Sequence, residues 1–216
     1  MSSPRLAVLI SGRGRNLQAL IQAQRDGRIP ADFAVVISNK ADAEGLAHAR
    51  AAGIAVEVIP HAQYSGRAAF DAALAEALRR HGADLVALAG FMRILTDDFV
   101  RAYQGRMLNI HPSLLPKYAG LDTHRRAHEA GATVHFVTPT LDAGPAVIQG
   151  RFTVHADDDV ERLAQRTMDE VELKIYPQAL AWLASGALKL EHGAAVLHGR
   201  RLDAPATMNE LEDAFR

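Results

Sequence analysis

A mostly parallel α/β sheet with helices on both faces is what this sequence predicts, and three observations carry that prediction. Short aliphatic runs ("LAVLI", "AVVI", "VEVI", "LVALA") recur through the first half. Stretches with apolar residues at helical spacing separate them. Glycine stands at turns where a helix must begin or stop. Strands that alternate with helices in this way build βαβ units.

Leu6 to Ile10 reads as the first strand. It runs into "SGRGRN" at 11–16, after which Leu17, Leu20 and Ile21 recur at helical spacing. "AVVI" at 34–37 is a second buried strand, and a short helix over 47–52 is stopped by Gly53. "VEVI" at 56–59 is the third strand. Over 67–81, Phe70, Ala73, Leu74, Ala77 and Leu78 form one helical stripe that Gly82 ends. "LVALA" at 85–89 is the fourth strand, and Phe99, Val100 and Tyr103 mark a short helix. In "LNIHPSLLPKY" at 108–118, polar Asn109 and His111 alternate with Leu108 and Ile110. That is a strand period, so Asn109 and His111 share one face, and Pro112 ends the ladder because it has no N–H to give.

Beyond this point the pattern changes. "TVHFV" at 133–137 and "AVIQGRFTV" at 146–154 are strands without long helices between them, which predicts antiparallel additions in the C-terminal half. A long helix is expected from Val160 to Leu183, kinked at Pro177. "LKLEHGAAVLHGRRL" predicts a hairpin turning at His192-Gly193, and residues 204–216 are expected to form a flexible tail. No repeat or linker interrupts the 216 residues, so one domain is expected.

Composition excludes several classes. Lys plus Arg (24) balance Asp plus Glu (25), so no basic field draws nucleic acid. There is no cysteine, hence no disulfide or thiolate zinc site. The start, "MSSPRLAVLISGRG", has too short an apolar run for a signal peptide or membrane span, which predicts a cytoplasmic protein that binds no membrane.

Several residues are candidates for chemistry. Gly14, Arg15 and Asn16 stand where a strand turns into a helix, and N–H groups at a helix start bind anions. The alternative is a tight turn with Asn16 as helix cap, since the loop is neither a full dinucleotide fingerprint nor a phosphate loop ending in Gly-Lys-Ser/Thr. Asn109 can donate to an oxyanion and His111 can move a proton near neutral pH. Against this, His111 can simply pack at a strand end. Asp142 in "LDAGPAVIQ" can orient His111, or serve only as a turn residue. His135 either points into the same region or sits on a sheet face. His124 and His128 have helical metal-pair spacing, but with no cysteine and no carboxylate between them no metal site is expected.

The segments "VLISGRGRNLQALI", "ISNKADAEGLAHARAAGI", "LAGFMRIL", "LNIHPSLLPKYAGLDTH" and "VHFVTPTLDAGPAVIQ" come in order. Together they resemble the phosphoribosylglycinamide formyltransferase family, folate-dependent enzymes of purine biosynthesis also called glycinamide ribonucleotide transformylases. The resemblance covers nearly the whole chain, and "NIHPSLLP" with "LDAGP" is its most specific part. It implies a Rossmann-like fold in a single formyltransferase domain over 1–216, with a nucleotide-phosphate half to about residue 105 and a folate and catalytic half over about 106–203. It also implies transfer of a formyl group from the co-substrate 10-formyltetrahydrofolate to the amine of glycinamide ribonucleotide, by a monomer or homodimer.

Residue by residue, the resemblance makes Asn109 the oxyanion donor, His111 the proton carrier, and Asp142 the group that holds His111 and relays protons through water. Gly14, Arg15 and Asn16 would take the ribonucleotide phosphate, and Glu172 the ribose. Met92, Arg93, Ile94 and Leu95 would line the folate pocket together with Asp142. Arg15 stands where the family carries Ser or Thr, and Leu173 where it carries His. Between "THRRA" and "TVHFV" the chain is several residues shorter than the resemblance implies, in a loop-like segment. Rival expectations are a formyltetrahydrofolate hydrolase, and a nucleotide-phosphate binder in which Asn109, His111 and Asp142 do not converge.

Overall fold

The computed structural model describes residues 3–116 and 129–216. The shortened segment and the His124/His128 pair lie outside the described residues. Eight strands form one sheet in the order β11-β7-β6-β5-β4-β1-β2-β3. These are β1 (Arg5–Ile10), β2 (Asp32–Ser38), β3 (Val56–Val58), β4 (Leu85–Leu88), β5 (Met107–His111), β6 (Glu129–Phe136), β7 (Ala146–Thr153) and β11 (Ala206–Thr207). Strands β3, β2, β1, β4 and β5 run parallel, whereas β6 and β7 are antiparallel additions. The strands after β1 step first to one side and then cross to the other, so the chain order reverses between β1 and β4.

The alternation of side chains along each strand divides the core in two. Val8, Ile10, Val36, Leu108 and Ile110 face helices α1 (Arg15–Arg25), α2 (Gly45–Ala51) and α6 (Leu173–Ala184). Ala7, Leu9, Val35, Ile37 and Leu88 face α3 (Arg67–Arg80) and α4 (Asp97–Ala102). Apolar residues on both faces explain why these strands read as continuous runs rather than as alternating ones.

Three expectations change. The long helix is broken upstream of the proline: α5 (Val160–Arg166) passes into a π-helical segment, Thr167–Glu172, before α6 begins. Pro177 sits inside α6, where it has no N–H to give to the preceding turn, and the wide turn ahead of it absorbs the irregularity. Asn16 is not a helix cap. Gly14 caps α1, and Asn16 lies in its first turn.

The expected flexible tail is packed. After β8 (Leu188–Glu191) and β9 (Ala194–Leu197) pair around His192-Gly193, a second His-Gly turn leads into β10 (Arg200–Arg201). The chain then adds β11 alongside β7, and Leu211 and Phe215 are buried. Trp182 Nε1 donates to Glu212 Oε1 at 2.8 Å, and Arg28 stacks over the Phe215 ring. The tail covers apolar surface of α6 that would otherwise meet water, a reason invisible to local sequence. Among the described residues no helix is long and apolar enough to cross a membrane.

Truncating the buried Phe215 side chain by Phe215→Ala is expected to cost about 3 kcal/mol, as for other buried aromatic deletions. Urea unfolding of the full chain reads this directly, whereas a fraying tail would give almost no change.

Candidate active site

Strand β5 projects Asn109 and His111 away from the α6 side, as Leu108 and Ile110 occupy that core. The antiparallel register sets His135 opposite Asn109 and Thr133 opposite His111. Four polar side chains are therefore grouped on one sheet face. Thr133 Oγ1 donates to the Ser113 carbonyl at 2.6 Å and accepts from Leu115 N at 3.1 Å, which holds the chain that follows His111.

Asp142 enters from the turn between β6 and β7. Its φ of 51° is left-handed, a conformation that aspartate tolerates better than most residues. Two residues on, Gly144 lies so close to the Phe136 carbonyl that any Cβ would overlap it. The turn is thus folded down onto the end of β6, and the Asp142 carboxylate is nearly enclosed. Asp142 Oδ2 lies 3.6 Å from His111 Nδ1, and Oδ1 lies 3.8 Å from His135 Nε2.

His135 determines how Asn109 is oriented. Its Nδ1 is 2.9 Å from the Phe136 carbonyl, which can only accept, so Nδ1 carries the proton in the neutral ring. Nε2 is then an acceptor, and Asn109 Nδ2 donates to it at 3.1 Å. An amide NH2 has two hydrogens, and the second remains to meet an oxyanion. Burial is the largest influence on His135 and pushes its pKa below the ordinary 6.5. The Phe136 hydrogen bond and the Asp142 charge oppose that shift, and the charge of His111 adds to it.

These groups lie along one wall of a cavity of about 750 Å³, a size suited to a folded-in organic ligand. The segment after β4 forms another wall with Phe91, Met92, Arg93, Ile94 and Leu95. Met92, Ile94, Leu141 and Val160 are large apolar side chains left exposed, and all of them line this cavity. Apolar surface concentrated in one place marks a binding mouth. Among the described residues the buried Arg93 Nε has no acceptor, and Arg67 at the start of α3 adds a second cation to the lining. Nothing in the helical periodicity of α3 singles out Arg67, and sequence reasoning missed it.

Gly14, Arg15, Asn16 and Glu172 do not line that cavity. They gather at the start of α1, after β1. Gly14 has φ 76°, and a Cβ there would come within 2.6 Å of Gly45 Cα, so the loop requires glycine. Gly14 has no side chain with which to cap α1, and the N–H groups of a first helical turn are suited to an anion. The π-helical segment lies over this turn. Its Asp169 pairs with Arg15, and its Glu172 Oε2 accepts from Asn16 Nδ2 at 2.6 Å. Burial raises the Glu172 pKa, a shift that the Asn16 hydrogen bond and the nearby Arg15 charge moderate. Tyr176 shares its one hydroxyl hydrogen between the carbonyls of Leu88 and Leu108, tying α6 to the end of β4 and the start of β5.

Comparison with known proteins gives a consistent result. The formyl transferase family pattern matches residues 4–180. A phosphoribosylglycinamide formyltransferase of Escherichia coli (strain K12) is 47% identical over 202 residues, covering 91% of this chain and 95% of that protein. The trifunctional purine biosynthetic protein adenosine-3 of Bos taurus is 49% identical over 191 residues, which are 86% of this chain and 19% of that protein. Among solved structures, a phosphoribosylglycinamide formyltransferase from Coxiella burnetii superposes with a TM-score of 0.89 at 43% identity, covering 95% of this chain and 99% of its own.

A histidine held neutral by burial stabilises the fold above its unfolded pKa and ceases to do so as pH falls, because the unfolded chain then binds the proton more readily. The stability difference between the protein and a His135→Gln variant is therefore expected to be constant above pH 6.5 and to narrow below it. Urea titrations across pH 5 to 8 measure this. A difference that does not change with pH would show that His135 titrates alike in the folded and unfolded chain.

Proposed function

The chain belongs to the formyl transferase family and, within it, to the phosphoribosylglycinamide formyltransferases, and from that premise we propose how its residues divide the work. The reaction moves a formyl group from 10-formyltetrahydrofolate to the amine of glycinamide ribonucleotide. The observation that supports the residue roles best is the meeting of Asn109, His111 and Asp142 beside the cavity. Scattered positions would have favoured a binder without chemistry.

In the proposed sequence the folate lies in the 750 Å³ cavity with its formyl carbon toward Asn109. The ribonucleotide phosphate meets the first turn of α1, with Arg15 adding a cation where a hydroxyl residue is usual. Glu172, now engaged by Asn16, turns to the ribose. The free amine attacks the formyl carbon, the C=O π pair moves to oxygen, and a tetrahedral intermediate forms. The remaining Asn109 N–H donates to that oxyanion, and His111 serves as the proton carrier beside it. Asp142, facing His111 Nδ1, holds that ring and takes part in moving the amine proton to the departing folate nitrogen through water. Collapse breaks the C–N10 bond and leaves the formamide on the nucleotide.

A preorganised oxyanion donor accounts for roughly a hundred- to thousandfold in rate. Asn109→Ala and His111→Ala are each expected to lower kcat by that order, with product followed as absorbance of the released folate. Formation of product only when glycinamide ribonucleotide is present identifies transfer, whereas product without it indicates hydrolysis.

The glutamyl tail of the folate carries carboxylates, and Arg67 is a cation in the cavity lining. Arg67→Ala is expected to raise KM for the folate about tenfold, the size of a lost charge-assisted hydrogen bond, while kcat stays within about twofold. A fall in kcat at unchanged KM would place Arg67 elsewhere in the cycle.

A further inference from the structure

Strands β4, β1, β2 and β3 lie side by side, and the segment after each contributes one group to a hydrogen-bonded belt across their carboxyl ends. Met92 N donates to Ser11 Oγ at 2.8 Å. Ser11 Oγ donates to Asn39 Oδ1 at 2.6 Å. His61 Nδ1 lies 3.1 Å from both Asn39 Nδ2 and the Asn39 carbonyl oxygen, and the proton it gives that carbonyl closes the belt. Backbone pairing does not reach this far. The last link between β1 and the chain leaving β4 is Ala89 N to the Leu9 carbonyl at 2.9 Å, after which Gly90, with φ 75°, turns the chain away. The Ser11 hydroxyl thus carries the connection past the end of the ladder. Ser11 and Asn39 are both buried, where a hydrogen bond is stronger and an unmet partner is costly.

The two ends of the Met92–Ser11 bond belong to different substrate sites. Ser11 begins the loop that carries Gly14, Arg15 and Asn16. Met92 lies in the segment that lines the cavity. Resting on the formyl-transfer reading above, we propose that this belt couples the two sites, with Ser11 and Asn39 as positioning residues. A nucleotide that fixes the α1 loop fixes Ser11, and through it the Met92 amide and the folate-facing segment. By linkage, folate tightens nucleotide binding by the same factor.

The test begins with formyl transfer by the unaltered protein, which checks the underlying reading separately. The dissociation constant of a deaza-folate analogue that cannot give up a formyl group is then measured by calorimetry, with and without saturating glycinamide ribonucleotide. Coupling is expected to appear as a ratio of about fivefold or more in the unaltered protein. Ser11→Ala and Asn39→Ala should bring that ratio close to one, and Ser11→Thr, which keeps the hydroxyl, should restore it. His61→Ala removes the half-exposed outer end of the belt and remains informative if the buried changes unfold the chain. It is expected to lower the ratio about twofold, as for loss of one modest hydrogen bond. A ratio of one in an active unaltered protein overturns the proposal. So does an unchanged ratio in folded variants that bind each ligand more weakly, the signature of a merely structural role.

Discussion

Everything functional in this molecule depends on the parting of β1 and β4. The two strands pair in parallel from Leu6–Leu85 to Leu9–Leu88, and their following segments must then leave in different directions, because the chain order reverses between them. The polar backbone groups released there cannot continue the ladder. A crevice at the carboxyl ends of the strands is the general result of such a reversal. Here the chain leaving β1 enters the α1 loop, and the chain leaving β4 supplies Gly90 to Leu95 to the cavity lining, which the end of β5 also joins.

The chemistry of the site follows from constraints that are each simple. A backbone carbonyl selects the tautomer of His135, that tautomer selects the orientation of Asn109, and the orientation leaves one amide hydrogen for the substrate. A turn that only glycine can complete brings Asp142 over both histidines. Burial disfavours the charged form of His135, and in the neutral ring Asn109 meets an acceptor instead of a competing donor. On the other side of β1, the π-helical segment performs the corresponding task, aiming Asp169 and Glu172 at adjacent residues of α1. A regular α-helix of the same length would advance the face by a different angle, and the wide turn sets the one observed.

Much of the fold was legible because it is encoded by local pattern. The alternation in "LNIH" gave the strand, its face and its end, and β5 runs from Met107 to His111. The His192-Gly193 turn was legible for the same reason, since two successive positive φ values suit a tight hairpin. The break at Thr167–Glu172 was not, because "TMDEVE" has nothing that disfavours an ordinary helix. What lies across from it is remote in sequence: Asp169 pairs with Arg15, and Glu172 accepts from Asn16. The packing of the tail is not legible either, because it depends on Trp182 and Gln178 of α6, which are remote in sequence and local only in space.

By itself, the sequence determined most of the strands and helices, the sharing of one face by Asn109 and His111, and most of the residues able to do chemistry, because periodicity and residue type act over a few neighbours. Tertiary structure alone decided that His135 orients Asn109, that Asp142 reaches both histidines, that Arg67 enters the cavity, and that Ser11 joins two loops. Each of these rests on a distance between segments far apart in the chain. Such distances are set by strand order and register, which no local pattern contains.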